Sequence, residues 1–435
     1  MFQKDDVEKL SAQLGEPSWV LDRRLLAWDA FEKLELPGER EEPWRYTNLK
    51  RLKFKLDSFA PLLHDAGLPI EKDQQELLEQ EGERGGYVVQ RDGQTVLREL
   101  SPELSEKGVI LTDLTSAILS HEDLVRRHLF SRIDHHGHIF NALHAALFSG
   151  GTFLYVPKGV TLALPIETQH WVDRPGVALF PHTLVVVEEG AEVSYFERYR
   201  SLPIESDSMI CPATEVSVGP GARVSTVVLE EFDAGVWHFH THRTAVDRDA
   251  TYRNLCVTLG GRFSRQEVET RMEGKGSSIE MLGLYFAEAG QHFDFRTLQD
   301  HAGPFCNSDL LYKGALKDKS HTVYSGLIHV RPEGMETDAY QTNRNLVLSD
   351  DANADSKPEL EIENNDVRCS HGASVGQLNE DEIFYLQSRG IEREQAETLI
   401  VNGFFEEVVA RVGQPELREV LSGAIHSKLG GVKIA

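Results

Sequence analysis

The sequence predicts a mainly β protein, in which a parallel β-helix is flanked by an N-terminal and a C-terminal helical region. Three observations lead to this fold. Helical patterns dominate before residue 149, short alternating β-type runs broken by glycine fill residues 149–366, and only helical patterns follow. The expected domains are a mainly helical region at 1–148, the β-helix core at 149–366, and a junction with a helical domain at 367–435.

The N-terminal region combines helices with one hairpin. Residues 2–36 carry apolar side chains at helical spacing, and Pro17 stands near a helix start. The polar run at 71–86 is expected to form an exposed helix that leads into a β-hairpin with Asp92 and Gly93 in its turn. Residues 112–148 return to a helical pattern.

The middle of the chain repeats a small turn element, glycine followed by a small residue and, two positions later, an apolar one. It begins at Gly159, Gly190 and Gly221, with variants at Asp249 and Gly276, so the intervals are 31, 31, 28 and 27 residues. A turn that recurs at this spacing between short strands is typical of a coiled β-solenoid, whose coils bury their inward faces against each other. An antiparallel sandwich or a cupin-like barrel is the competing fold.

The C-terminal region predicts three helices, the last beginning at Pro415. An apolar stripe along this helix either packs against the preceding helix or binds a partner chain. The residues assigned to partner binding are Ile383, Leu386, Leu417, Leu421 and Ile425.

Composition excludes several classes of function. The net charge of −25, from 45 basic and 70 acidic residues, argues against a nucleic-acid surface. The four cysteines contain no C-x-x-C pair, which argues against a disulfide framework and a zinc ribbon and favours a reducing, cytoplasmic setting. No run is long and apolar enough to cross a bilayer.

Three histidines in the run WHFHTH form the first candidate site. Period-two spacing places His238, His240 and His242 on one face of a strand, as in metalloenzyme barrels that present imidazoles to zinc or iron. This pattern allows a cupin-like metal-dependent enzyme. The alternative is a polar outer face of a solenoid strand, with Trp237 and Phe239 facing the other way.

Cys369 and His371 form the second candidate site. They lie two residues apart, so an extended segment projects both side chains from one face. A thiolate beside an imidazole can bind iron, zinc or a persulfide sulfur. The pair supplies only two ligands, and the alternative is a small buried cysteine beside a polar strand-end histidine.

Three stretches resemble the SufB/SufD family of iron–sulfur cluster scaffold proteins. They are WRYTNLKRL, FNALHAALFSGGTFLYVPKGVTLALPI, and the long run from TNRNLVLSDDANADSKPELEIENNDVRCSHG to the first C-terminal helix. Within the family, the EPWRYT segment and the short N-terminal region are more similar to SufD than to SufB, although a SufB-type scaffold subunit is the alternative.

The resemblance implies a right-handed parallel β-helix and a non-enzymatic assembly role in the cytoplasm. It implies pairing with a SufB-like subunit through the β-helices, and docking of the ABC-type ATPase SufC by the C-terminal helices, here 380–429. It also implies a transient iron–sulfur cluster or iron at the subunit interface, with His371 and its neighbour Cys369 there, and no tightly bound cofactor. A homodimer of the isolated chain is a further expectation. No catalytic residue is assigned, and the absence of a P-loop motif leaves ATP hydrolysis to the partner.

Overall fold

The computed structural model describes residues 2–63, 83–204 and 206–430. The predicted polar helix at 71–86 therefore falls largely outside the described residues. The described helices, in chain order, are α1 (Lys4–Leu14), α2 (Ser18–Phe31), α3 (Pro102–Glu106), α4 (Leu114–Ser120), α5 (Glu122–His128), α6 (Ile139–Leu147), α7 (Glu380–Ser388), α8 (Arg393–Val409) and α9 (Pro415–Lys428), with short 3₁₀ turns at Glu42–Trp44 and Leu56–Ser58.

The described strands, in chain order, are β1 (Ala60–Pro61), β2 (Gly86–Arg91), β3 (Gln94–Leu100), β4 (Ile110–Asp113), β5 (Thr152–Val156), β6 (Ile166–Val172), β7 (Val177–Leu179), β8 (His182–Val187), β9 (Glu192–Ser201), β10 (Ser208–Ile210), β11 (Ala213–Val218), β12 (Arg223–Glu231), β13 (Val236–Val246), β14 (Thr251–Thr258), β15 (Phe263–Met272), β16 (Ser278–Ala287), β17 (His292–His301), β18 (Asn307–Leu316), β19 (His321–Val330), β20 (Thr337–Val347), β21 (Asn353–Ile362) and β22 (Val367–Gln377).

Two sheets face each other across a solenoid. From β11 onward the odd-numbered strands join a twelve-stranded sheet and the even-numbered strands a ten-stranded sheet, and each strand pairs in parallel with the strand one coil away. Antiparallel pairing is confined, in the described residues, to β2 with β3 and β4 with β5. The predicted parallel β-helix is therefore confirmed, and the sandwich and barrel alternatives are wrong.

The recurring turn element forms a ladder along one edge of the solenoid. Gly159, Gly190, Gly221, Asp249 and Gly276 all have positive φ angles between 56° and 72°, and the backbone N–H of each donates to a carbonyl oxygen in the turn of the next coil. Only glycine and, less readily, aspartate adopt this left-handed conformation at small cost. The repeat seen in the sequence is thus a steric requirement of the turn.

Two later turns use residues that no turn rule favours. Phe305 and Glu336 take the same left-handed conformation, with φ angles of 61° and 54°, and make the same hydrogen bond to the next turn. The coil therefore continues past the last turn that the sequence pattern revealed. Its last strand, β22, lies beyond residue 366, where the β-helix core was expected to end.

The N-terminal region covers the outer face of the twelve-stranded sheet. The ring of Phe140, on the fully buried α6, stacks on Phe239 at 3.8 Å between centroids. Phe54 packs on Trp237 and Phe239 at 4.9 and 5.3 Å. The predicted hairpin is confirmed as β2 and β3, with Asp92 and Gly93 at positive φ.

The C-terminal helices cover the outer face of the other sheet. Side chains of α8 and α9 form one apolar cluster with outward-facing residues of β12, β14, β16 and β18, including Leu229 and Leu284. At the edge of this cluster, the ammonium of the buried Lys313 donates to the carbonyl oxygen of Phe404 (2.9 Å) and pairs with Glu407. Both outer faces of the solenoid are thus covered by helices or loops over much of their area.

Candidate functional site

Among the described residues, no further coil covers the axial side of the last coil of the solenoid. It consists of β21 and β22, of 10 and 11 residues, which are the edge strands of the two sheets. At the opposite end the parallel coil stops on the short antiparallel strands β3 and β4. Long edge strands present unpaired N–H and C=O groups that can pair with another chain. We call this surface, formed by β21 and β22, the open end.

Side-chain burial changes sharply at the open end. Ile328 and Val330 of β19 are fully buried, whereas their register partners on β21, Leu360 and Ile362, are 37% and 43% exposed. On the other sheet Val375 is 49% exposed. These side chains continue the inward-facing rows of the preceding coil, and a further coil would cover them. The open end is therefore an apolar surface of the kind that marks an interaction site.

Cys369 and His371 lie on β22, at the open end. They pair in register with Ala339 and Gln341 of β20, whose side chains point inward, so both leave the same face of the strand. Cys369 is half-buried against Ile328, while His371 is exposed. The spacing argument for a common face therefore holds in the structure.

The Cys369 thiol is not activated within this chain. Burial raises its pKa above the ordinary value of a cysteine, and the negative charge of Asp338 adds to the effect. At neutral pH the sulfur is therefore protonated, and a metal ion or a base must favour the thiolate before it can bind iron or sulfur.

The pair gains no third ligand from the residues that the structure describes. Across residues 2–63, 83–204 and 206–430, two groups of three or more His, Cys, Asp or Glu side chains lie close enough to hold one ion. Neither group contains Cys369 or His371. One is His329, Glu361 and Glu363 on the exposed side of the last coils, and the other lies inside the solenoid.

The histidines of β13 point into the solenoid. Their side chains are at most 2% exposed in all three cases, His238, His240 and His242. The alternate residues Trp237 and Phe239 face outward and lie under the N-terminal region. The alternative of a polar outer face is therefore wrong, because the N-terminal helices make that face apolar. A barrel enzyme at these histidines is also wrong, since the fold is a solenoid and the imidazoles have no access to solvent.

Two of these histidines share a site with a carboxylate. Glu230 is the penultimate residue of β12 on the opposite sheet and is fully buried, with its Oε2 atom 3.1 Å from Nδ1 of His238. Ser264 donates to the same oxygen at 2.9 Å, and the amide of Gln266 donates to Oε1. Glu230, His238 and His240 each offer one ligand atom, and these atoms lie within 4.8 Å of one another.

His242 stands apart from this group. Its Nε2 atom contacts the hydroxyls of Tyr252 (2.9 Å) and Thr244 (3.2 Å). Burial lowers the pKa of His242 to about 4, and burial together with the neighbouring histidines lowers the pKa of His240 well below its ordinary value. Both rings are therefore neutral at physiological pH.

The predicted partner-binding residues are mostly covered by their own chain. Ile383, Leu417, Leu421 and Ile425 are at most 4% exposed, the last three in the cluster beneath α8 and α9, and Leu386 is partly buried. The apolar stripe therefore packs within the chain. The exposed apolar side chains of this region are instead Phe384 (71%) and Tyr385 (57%), both on α7.

Sequence reasoning missed Glu230 and the two exposed aromatics. A signal for Glu230 exists: it continues the inward-facing positions of Val224, Thr226 and Val228 on β12, and a carboxylate in such a row needs partners. No comparable signal separates Phe384 from buried aromatics, because exposure depends on how the helices pack.

Comparison with known proteins identifies the family. The SufBD N-terminal region model matches residues 14–168, and the model of the SufBD core domain of the SUF iron–sulfur cluster assembly system matches residues 170–404. The chain belongs to the SufBD family of iron–sulfur cluster assembly proteins. The core match spans both candidate sites, from the interior histidines to Cys369 and His371.

Relatives in three bacterial genera are similar in sequence to this chain along most of their length. A SufBD family protein of Mycobacterium tuberculosis is 34% identical over 92% of this chain and 90% of its own length. The iron–sulfur cluster assembly protein SufD of Bacillus subtilis is 31% identical over 97% of both chains. A SufBD family protein of Staphylococcus epidermidis is 28% identical over 92% of this chain and 87% of its own.

None of the described helices is long and apolar enough to cross a membrane.

Proposed function

We propose that the chain is a SufD-like, non-enzymatic subunit of a SufBCD-type assembly complex, in which a nascent iron–sulfur cluster or iron is held at an interface with a SufB-like subunit. The observation that carries this proposal is the open end, where the edge strand β22 presents both Cys369 and His371. The 31% identity to SufD of Bacillus subtilis over 97% of both chains favours the SufD-like role over a SufB-type one.

Pairing through the open end follows from its chemistry. The edge strands β21 and β22 have free hydrogen-bonding groups, and the inward-facing Leu360, Ile362 and Val375 are only partly covered. A second β-solenoid placed on this end would continue both sheets and bury the apolar row, which is β-augmentation on a large scale. A second copy of this chain could pair through the same edge strands and apolar side chains with less specificity, and this is the basis for expecting a homodimer of the isolated chain.

An interface site accounts for the incomplete ligand set. Cys369 and His371 supply at most two donors, and no third His, Cys, Asp or Glu of the described residues completes a site with them. Iron–sulfur clusters are held mainly by cysteine thiolates, and imidazole replaces some of them in certain centres. The partner subunit would therefore supply the remaining thiolates, and the cluster is cargo that the complex assembles and releases.

The ATPase of the complex would dock on the C-terminal helices. The sequence carries no P-loop motif, so ATP hydrolysis must come from another chain. Phe384 and Tyr385 are exposed neighbours on α7, and aromatic side chains of this kind dominate the energetics of many interfaces. We assign the SufC-like ATPase to this helix in place of the buried stripe on α9.

Anaerobic co-purification tests the proposal. This chain is co-expressed with a SufB-like and a SufC-like subunit, and the complex is analysed for stoichiometry, iron and acid-labile sulfide before and after cluster reconstitution. The proposal predicts a stable complex that contains all three chains and gains iron and sulfide. Failure of this chain to bind either subunit under conditions where the other two associate would refute it.

A further inference from the structure

We propose that Glu230, His238 and His240 bind one divalent transition-metal ion, Zn²⁺ or Fe²⁺, in the interior of the solenoid. Glu230 belongs to β12 of the ten-stranded sheet and the two histidines to β13 of the twelve-stranded sheet. An ion at this position would join the two sheets across the interior. The site uses strands far from β22 in the coil order and does not depend on the role proposed for His371.

The first argument is the arrangement of the donor atoms. The three side chains each offer a ligand atom, with all three atoms within 4.8 Å of one another. Metal–nitrogen and metal–oxygen bonds of about 2.0–2.2 Å need ligand atoms about 3–3.5 Å apart, so small rotations of the imidazole rings complete the approach. The rings of His238 and His240 are neighbours that do not stack, with centroids 5.6 Å apart and planes inclined at 54°.

The second argument is a set of buried polar atoms that have no partner. Nε2 of His238 and Nδ1 of His240 make no hydrogen bond, although both side chains are at most 2% exposed. The carbonyl oxygen of Gln266, whose amide group donates to Glu230, is also unpaired. Buried polar atoms without partners are costly and uncommon in native proteins. One bound cation would give both imidazoles a partner.

A metal-free ion pair explains less of the site. The closest atoms of the pair, Nδ1 of His238 and Oε2 of Glu230, are 3.1 Å apart. This contact still leaves Nε2 of His238 and Nδ1 of His240 without partners. Ser264 and Gln266 meanwhile hold the Glu230 carboxylate in place, as the outer partners of metal ligands commonly do.

The donor chemistry selects the class of ion. Two imidazole nitrogens and one carboxylate suit Zn²⁺ and Fe²⁺, whereas Mg²⁺ and Ca²⁺ prefer oxygen ligands and, for Mg²⁺, retained water. His240 is fixed by a contact of 3.0 Å between its Nε2 atom and the hydroxyl of Thr214, which leaves Nδ1 as its free nitrogen. The nearby His242 contacts Tyr252 and Thr244 through its Nε2 atom, also has an unpaired Nδ1 atom, and lies outside the group of three, so it supplies a matched control.

Metal analysis of the refolded full chain tests the site. The chain is unfolded with chelator, refolded anaerobically with Zn²⁺, Fe²⁺ or Mg²⁺, desalted and analysed by mass spectrometry for metals. We expect about one equivalent of Zn²⁺ or of Fe²⁺ and no retained Mg²⁺. The Zn²⁺ and Fe²⁺ arms show which of the two ions the site prefers. Wild-type chain that regains its native circular dichroism with neither Zn²⁺ nor Fe²⁺ bound would overturn the proposal.

Variants assign the ligands. Glu230→Gln and His240→Gln are expected to weaken retention of the ion at least tenfold, whereas His242→Gln should retain it fully. Co²⁺ bound to the wild-type chain should give visible absorption bands that are lost in the His240→Gln chain. Should a variant fail to refold, the same comparison is made on chains purified natively from metal-supplemented cells. Equal loss of the ion in His242→Gln and His240→Gln, or unchanged binding in both, would overturn the ligand assignment.

Discussion

Gln341 and His371 are register partners in adjacent strands of the ten-stranded sheet, yet Gln341 is fully buried and His371 is exposed. Both side chains belong to the inward-facing row, and Gln341 reaches across the interior to donate to the carbonyl oxygen of Gly326 at 3.1 Å. The strand β22 covers Gln341, whereas no strand of the described residues covers His371. The exposure of His371 is thus a property of the open end.

Replacing Leu360 with lysine should prevent pairing through the open end. Leu360 is 37% exposed and continues the row of Ile328, which is buried one coil earlier. A charge at this position must be desolvated when a second chain covers it, so we expect the dissociation constant with the SufB-like subunit to rise at least tenfold. Sedimentation velocity of the mixed subunits measures this change.

A matched control separates pairing from stability in the Leu360 experiment. Leu119, on α4, is 56% exposed and lies outside the open end, so Leu119→Lys should leave pairing unchanged. Both substitutions are expected to change the free energy of unfolding by no more than about 0.5 kcal/mol. An undiminished heterodimer with Leu360→Lys would show that the open end is not the pairing surface.

Much of the fold was predictable because steric rules leave a clear trace in the sequence. Positive φ at Gly190 and Gly221 requires residues that tolerate the left-handed conformation, and their spacing therefore revealed the coil. The trace stops at Phe305 and Glu336, which take the same conformation without the expected residue type. At these two residues the hydrogen bonds to the neighbouring turns hold the backbone in place, and such contacts cannot be predicted from the local sequence.

The candidate sites were predictable only in part. The period-two spacing correctly placed His238 and His240 on one face of the strand. It did not predict the direction in which that face points, because the direction depends on the N-terminal rings that cover the other face. The apolar stripe of α9 was likewise evident, while its partner proved to be the chain's own sheet. Period and spacing define a face; tertiary packing decides what that face contacts.

The helix α7 should bind the SufC-like ATPase through its exposed aromatic residues. Phe384 is 71% exposed, and truncation to alanine should remove a large contact area without affecting the core. We expect Phe384→Ala to weaken ATPase binding by tenfold or more, a typical loss at an interface hot spot. Calorimetric titration with the ATPase measures it, and Leu26→Ala, at a 61% exposed leucine of α2, is the control.

Leu421 should behave in the opposite way from Phe384. Leu421 lies on α9, and its side chain is fully buried in the cluster between this helix and the sheet. Leu421→Ala should therefore lower the free energy of unfolding by about 2–5 kcal/mol, because it leaves a cavity. Denaturant unfolding of the isolated chain tests this. A variant of normal stability that nevertheless binds the ATPase weakly would place Leu421 at the interface, contrary to the packing described above.

Acid should destabilise the chain between pH 6.5 and pH 4. His301 is fully buried, with Nε2 2.9 Å from the hydroxyl of Ser308, and burial lowers its pKa to about 4 against the opposing charge of Asp300. The unfolded chain, with a histidine pKa of about 6.5, binds one more proton at this position within that window. Stability is therefore retained above pH 6.5 and is lost as the pH falls, by on the order of 3 kcal/mol for this group.

The His301 contribution can be isolated by substitution. The free energy of unfolding, measured from pH 7 to pH 4, should fall less steeply for His301→Gln than for the wild type. The difference between the two slopes should correspond to about one proton taken up on unfolding. Glutamine is chosen because its amide can keep a hydrogen bond to Ser308 without titrating. Identical slopes in the two chains would mean that His301 does not stay neutral when the chain folds.

The iron and sulfide content of the complex decides whether a cluster forms beside His371 at the open end. The complex with SufB-like and SufC-like subunits is purified anaerobically with wild-type chain, with His371→Ala, and with Ser374→Ala, an exposed position on the same strand that faces the other way. Iron and acid-labile sulfide are then measured per complex. The prediction is that all three complexes stay intact and that iron and sulfide collapse in His371→Ala alone. Unchanged iron and sulfide in an intact His371→Ala complex would contradict it and leave the chain a structural subunit.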